Sequence, residues 1–244
     1  MASSTTESYL QLLGLAVHEF RTPASVVGGY LRMLQRDAAG ELNDRQRKMI
    51  DEAEKSCARL VALIAEMSDV AKLDSGVIAL ARQPVDIFAL VADVAEHVQE
   101  AKDREVRLEV RGEDGAAQIS GDATRLRAAF DAVFRAVLRE KAGPCVVVAE
   151  RRRATQNGRR EAVLVVSDAD TVQAAYERER GAFDEKRGGM GLALPLARRV
   201  IEGHGGRIAS PAPSVRPDSG QSHDSLAADA VSRGSAIITL PLTE

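Results

Sequence analysis

The 244-residue sequence has no apolar run long enough to span a membrane and no signal-peptide pattern at its start, so the chain as given reads as soluble and cytoplasmic. It also lacks an excess of either charge. With 33 Lys and Arg against 36 Asp and Glu, the formal net charge is −3, which removes the electrostatic case for nucleic-acid binding. Only two cysteines are present. Cys57 falls in an apolar helical seam and Cys145 opens an apolar strand, so both read as reduced core thiols, with no disulfide and no metal site expected. There is no internal repeat. What remains is a 45% hydrophobic content over a length that can support two modest domains with real cores.

Leu10, Leu13, Val17, Phe20, Ala24, Val27, Leu31 and Leu34 recur in alternating three- and four-residue steps, the seam of a helical bundle. A second seam runs through Ile50, Ala53, Cys57, Leu60, Ile64, Met67 and Ala71. Between them lie Gly40 and a capping-box pattern, Asn43 with Gln46, which predicts that the second helix begins near Asp44. A single two-helix hairpin covers both stripes poorly, whereas two hairpins make a closed four-helix bundle. A homodimer is therefore expected.

Within the first seam stands His18-Glu19-Phe20-Arg21-Thr22-Pro23. Each residue turns a helix by about 100°, so His18, one step past the seam, projects from the flank of the bundle, and Thr22 shares its face. A lone histidine on a helix flank is ordinarily a solvated residue. Its neighbours set this one apart. Pro23 removes a helical N–H and clashes with the preceding turn, at about 3 kcal/mol in an ordinary helix interior. It should leave the carbonyl of Glu19 unpaired and bend the helix just beyond His18, a strain better explained by function than by packing.

This hexapeptide resembles the acceptor box of the dimerisation and phosphoacceptor domain of sensor histidine kinases. The resemblance implies that His18 attacks the terminal phosphate of ATP and that the phosphoryl group passes to an aspartate on a response-regulator receiver domain. It makes His18, Glu19 and Thr22 the catalytic residues. Glu19 would hold the proton on the Nδ1 side and leave Nε2 as the nucleophile. Thr22 would position water to hydrolyse the phosphorylated regulator. No sensory domain is visible before Thr6, which suggests an excised transmitter core or a signal that arrives through another protein.

Lys72-Leu73-Asp74-Ser75-Gly76 ends the bundle, which sets a first domain at residues 1–76 and a second at 77–244. In the second, Asp86 can cap a helix to about Lys102, Val106 to Val110 alternate as a strand, and Asp122 can cap a helix through about Lys141. Cys145 to Ala149 and Ala162 to Val166 read as strands of a hairpin with a turn at Asn157-Gly158. A helix from about Leu192 to His204 stops at Gly205-Gly206, and Ala236 to Leu240 form a closing strand. The whole is an α+β chain, a helical hairpin followed by an α/β sandwich with helices on one face of a mixed sheet.

This order of elements is similar to the ATP-binding domain shared by histidine kinases and gyrase-type ATPases. Arg187-Gly188-Gly189-Met190-Gly191-Leu192-Ala193-Leu194 is its best-preserved sign: glycines at a helix start let backbone N–H groups approach phosphate. The resemblance implies ATP and magnesium as cofactors, with Arg139, Asp168, Gly189, Gly191 and Leu192 on the nucleotide and no metal-ligating side chain identified. Ala132 and Ala136 stand where the family has two asparagines, the second a magnesium holder, and a methyl group offers no oxygen to a hard cation. Asp168 matches the acceptor of the adenine amino group. Asp170 and Val172 replace glycines and would crowd the nucleotide.

Arg151 to Arg153 with Arg159-Arg160 read as a solvated, aggregation-resistant edge, His204 as a helix cap favoured by the dipole, and His97 as a surface residue. Residues 211–233 lack apolar periodicity and read as a disordered loop. Three functions stay open: a working histidine kinase; a histidine phosphotransferase, phosphatase or pseudokinase that handles phosphate on His18 without ATP of its own; and a non-enzymatic dimeric interaction module.

Overall fold

The computed structural model describes residues 2–36, 40, 42–77, 79–213, 231 and 234–243, with side chains from Leu13 onward. The chain divides into two units, Met1–Ala79 and Leu80–Glu244.

The first unit is a helical hairpin of α1 (Ala2–Gln35) and α2 (Asp44–Asp74). α2 starts where the capping pattern places it: the Asn43 side chain accepts from the Gln46 N–H at 2.9 Å, and the Asn43 N–H donates to the Gln46 side chain at 2.9 Å. α1 runs through Pro23 without interruption. Val17, Ala24 and Ile64 form the buried seam, with Met67 against them. Cys57 is buried as well, its Sγ donating to the Ala24 carbonyl at 3.3 Å. Ala71 is buried too, whereas part of the seam faces outward. Phe20, Val27 and Leu60 are 54%, 52% and 50% exposed, and with Pro23 they line an apolar groove of about 500 Å³. The side chain of Leu10 lies outside the described residues.

The second unit contains, in order, β1 (Gln83–Asp86), α3 (Ile87–His97), β2 (Val106–Gly112), β3 (Gln118–Gly121), α4 (Ala123–Arg139), β4 (Cys145–Gln156), β5 (Arg159–Asp168), α5 (Val172–Glu177), β6 (Arg180–Gly181), α6 (Ala193–Gly203), β7 (Arg207–Pro211) and β8 (Ala236–Pro241). Six strands make one mixed sheet in the order β2-β4-β5-β8-β7-β6, with β2 parallel to β4 and the remaining pairs antiparallel. β1 and β3 pair separately.

Asp86 caps α3 by accepting from the Phe88 and Ala89 N–H groups, and Asp122 caps α4 by accepting from Arg125. α3 is shorter than its sequence pattern, because Val98 turns extended and buried and Ala101 adopts a left-handed φ of 59°. Asn157 and Gly158, with φ of 50° and 75°, make the two-residue turn between β4 and β5. α5 covers one face of the sheet by placing Ala175 on Val163, Val165 and Ile237. Strand alternation sends the buried Ala162, Leu164 and Val166 to the other face. Of the 211–233 stretch, Pro211 closes β7 and Val231 packs on the α5 cluster; 214–230, 232 and 233 lie outside the described residues.

The sequence reading of a solvated edge at Arg151 to Arg153 is overturned: β4 lies between β2 and β5, and each of these arginines is partnered. Arg151 pairs with Asp114 at 3.1 Å. Arg152 pairs with Glu150 and stacks on Tyr176 at 4.1 Å. Arg153 pairs with Glu113 and stacks on Phe88 at 4.8 Å. The guanidinium groups thus lie over aromatic rings with their charges matched.

His204 caps α6, but as a neutral ring rather than a cation. Its Nδ1–H donates to the Val200 carbonyl at 2.6 Å, and Nε2 accepts from the Asp122 N–H at 2.9 Å. Gly121 makes room for it: a β-carbon there would sit 2.9 Å from the imidazole Cδ2. Burial pushes this imidazole below its ordinary value of 6.5, with Arg82 adding to the effect. The folded state therefore resists a proton that the unfolded state takes up. Stability should fall as pH drops below about 6.5 toward the depressed folded value, and level off beneath it. Thermal melts from pH 7.5 to 5 should show this slope, and His204→Asn should flatten it; an unchanged slope in the variant would refute the assignment.

Candidate functional site

His18 stands on the flank of α1 with its side chain 78% exposed, and its Nδ1 lies 3.4 Å from Oε1 of Glu19, itself 70% exposed. A proton on Nδ1 toward the carboxylate leaves the Nε2 lone pair available to an incoming electrophile. Thr22 is exposed one turn on. At about 100° per residue, Leu15, Val26, Tyr30 and Met33 fall on the Thr22 side of the helix, and all four are more than half exposed. An exposed imidazole is thus set beside an uncovered apolar strip.

In the second unit, Gly188, Gly189 and Gly191 all take positive φ, between 60° and 63°, in the loop that leads into α6. That loop rests on α4. A β-carbon on Gly188 would lie 2.8 Å from the Ala136 Cα and 2.9 Å from its carbonyl oxygen. Ala132 and Ala136 are both buried. Arg139 pairs with Glu100 at 3.1 Å and reaches the Gly188 carbonyl at 3.4 Å. Leu192 precedes α6 with no side-chain cap. Arg139 and the glycine loop are therefore brought together. Asp168, at the end of β5, is bound by Lys141 Nζ at 3.0 Å.

Lys141, Glu140 and Arg187 were not among the sequence candidates. Lys141 is buried and also donates to the Gly234 carbonyl at 3.2 Å. Arg187, its side chain 2% exposed, donates to the Ser235 carbonyl at 2.7 Å, lies 3.5 Å from Glu140 and stacks on Phe183. Burial pushes the Glu140 carboxyl up from its ordinary value against the pull of Arg187. It also pushes the Cys145 thiol up. A cavity of about 580 Å³ opens beside Lys141, Cys145 and Asp168. The available signal was the adjacent opposite charges Glu140-Lys141 just after the apolar stripe of α4.

These residues do not fit magnesium. Ala132 and Ala136 have no oxygen to give, the glycine loop lies against Ala136, and no group of three or more His, Cys, Asp or Glu is placed to hold a metal among the described residues.

Residues 9–76 match the model of the His Kinase A (phospho-acceptor) domain. Sensor protein DivL of Caulobacter vibrioides is 29% identical over 202 residues, covering 81% of this chain and 25% of that protein. Sensor protein CutS of Streptomyces coelicolor is 32% identical over 213 residues, covering 82% of this chain and 49% of its own length. The chain thus spans half or less of these relatives. In fold it is similar to full-length ShkA in complex with AMPPNP, with a TM-score of 0.66 at 22% identity over 96% of this chain and 46% of that one. Histidine kinase AdeS of Acinetobacter baumannii gives a TM-score of 0.55 at 16% identity over 93% of this chain and 98% of that one. A phospho-acceptor hairpin followed by an ATPase-like α/β domain defines a transmitter core, and this chain belongs with the sensor histidine kinases. Among the described residues no helix is long and apolar enough to cross a membrane.

Proposed function

We propose that this chain is the phosphotransfer core of a two-component histidine kinase, acting as a homodimer on the cytoplasmic side. His18 Nε2 attacks the phosphorus of a donor, an N–P bond forms as the donor's P–O bond breaks, and the phosphoryl group then passes to an aspartate carboxylate of a receiver domain. The observation that carries this reading is the exposed imidazole with its Nδ1 turned to Glu19. Glu19 keeps the proton on Nδ1, and Thr22 orients water in the reverse task of dephosphorylating the regulator. Residues 1–76 serve as the dimerisation and phosphoacceptor domain and 77–244 as the ATPase-like domain. The apolar strip of Leu15, Val26, Tyr30 and Met33 offers a receiver domain a surface beside His18.

The ShkA structure holds AMPPNP, which supports an adenine nucleotide as the ligand of this fold. The cleft residues of this chain do not fit ATP with magnesium as they stand, so no step is assigned through them. Occupation of Asp168 by Lys141 favours a second reading, in which His18 takes its phosphoryl group from a phosphorylated receiver domain.

The test offers the full chain labelled ATP with magnesium and, separately, a labelled phospho-receiver domain. Acid-labile, alkali-stable label on the chain from either donor is the expected result, and absence of it from both would overturn the proposal. Thr22→Ala should keep the labelling yet slow loss of phosphate from the receiver by about 10²-fold, the scale of a lost proton-transfer or water-orienting group.

A further inference from the structure

We infer that, within the histidine-kinase reading above, the nucleotide cleft of the second unit is shut from inside by a double latch of Lys141 and Arg187, and that an adenine nucleotide binds only when Lys141 lets go of Asp168. The two cations come from different segments, Lys141 from just past α4 and Arg187 from the glycine loop. They end on consecutive carbonyls, Gly234 and Ser235, at the threshold of β8. Each also meets an acid: Lys141 meets Asp168 at the end of β5, and Arg187 meets Glu140 at the end of α4. Four segments that border the cleft are thereby tied to one another.

Both ends of the cleft are affected. At the base end, Asp168 is the carboxylate matched to an adenine amino group, and it already accepts from an ammonium at 3.0 Å. The ammonium brings a full positive charge to this carboxylate where an adenine amino group would bring only a dipole, so the lysine is the stronger partner. At the phosphate end, the Gly188 backbone rests on the α4 backbone at Ala136, and the buried Arg187 of the same loop holds it there through Glu140 and the Ser235 carbonyl. The latch can open at Lys141. Asp168 is 40% exposed, so water can solvate it once released, and the adjoining cavity of about 580 Å³ gives the lysine side chain room to swing. Arg187, enclosed on all sides, follows only when the glycine loop lifts.

The test is a calorimetric titration of ATP and ADP, with and without magnesium, into the full chain and into Lys141→Met, which keeps the aliphatic stem. Thermal melts verify that the variant is folded. The expected result is an affinity for both nucleotides at least about tenfold higher in Lys141→Met than in the unmodified chain, a difference of about 1.4 kcal/mol. Equal affinities, or no binding by either protein, would overturn the latch. Binding is read without phosphotransfer, so the two readings fail separately: a tighter variant that leaves no phosphohistidine keeps the latch and removes the kinase. Phosphohistidine formed without any change in affinity does the reverse.

Discussion

His18→Gln is expected to carry no acid-labile phosphate from any donor, a complete loss rather than a slowing. A glutamine amide nitrogen has no lone pair free to attack phosphorus, and no neighbouring side chain can replace the imidazole in place. The control is His97→Gln. His97 is also exposed, with its Nδ1 2.7 Å from the Asp93 carbonyl and a carboxylate oxygen of Asp93 at 3.7 Å, so it mimics the outward geometry of His18 on an unrelated helix. Full labelling of His97→Gln with none on His18→Gln is the predicted pattern, and label persisting on His18→Gln would refute the assignment. Glu19→Gln should retain labelling but slow it by about 10²-fold, because the ring loses the carboxylate that fixes its tautomer.

Phe20→Asp combined with Leu60→Asp should convert a dimer into a monomer at tens of micromolar. Each side chain is half exposed on the single hairpin and lines the same apolar groove. Burying a Phe or Leu contributes about 1.5–3 kcal/mol, and a two-fold interface uses each position twice. Substituting aspartate removes that term and forces carboxylates into a closed seam, where an unpaired charge is costly. Sedimentation velocity reads the outcome. A monomeric unmodified chain, or a double variant that remains dimeric, would show that the groove is not the association surface.

The parts of the fold readable in advance are those set by neighbours in sequence. Asn43 with Gln46, Asp86, Asp122 and Asn157-Gly158 each act within four residues, and each produces the cap or turn its pattern implies. β1 and β3 escaped notice because Gln83 to Asp86 and Gln118 to Gly121 are short and pair across the whole of α3 and β2. The arginines of β4 misled for a related reason. Their charges are matched by Glu113, Asp114 and two aromatic rings contributed by distant segments. At the candidate site, the His18 box is local and stands out in the sequence, whereas Lys141 and Asp168 are brought together only by the closing of β4 on β5, and Arg187 reaches Glu140 from the far end of the domain.

Ala136 shows what a larger side chain in this cleft would meet. The Gly188 backbone rests on the α4 backbone at Ala136, and Ala136 is itself fully buried, so the small residue belongs to a packed contact. Ala136→Asn would meet a filled interior, at about 1–3 kcal/mol for overpacking, before any ligand could reward it. The loop must move first and the side chain second.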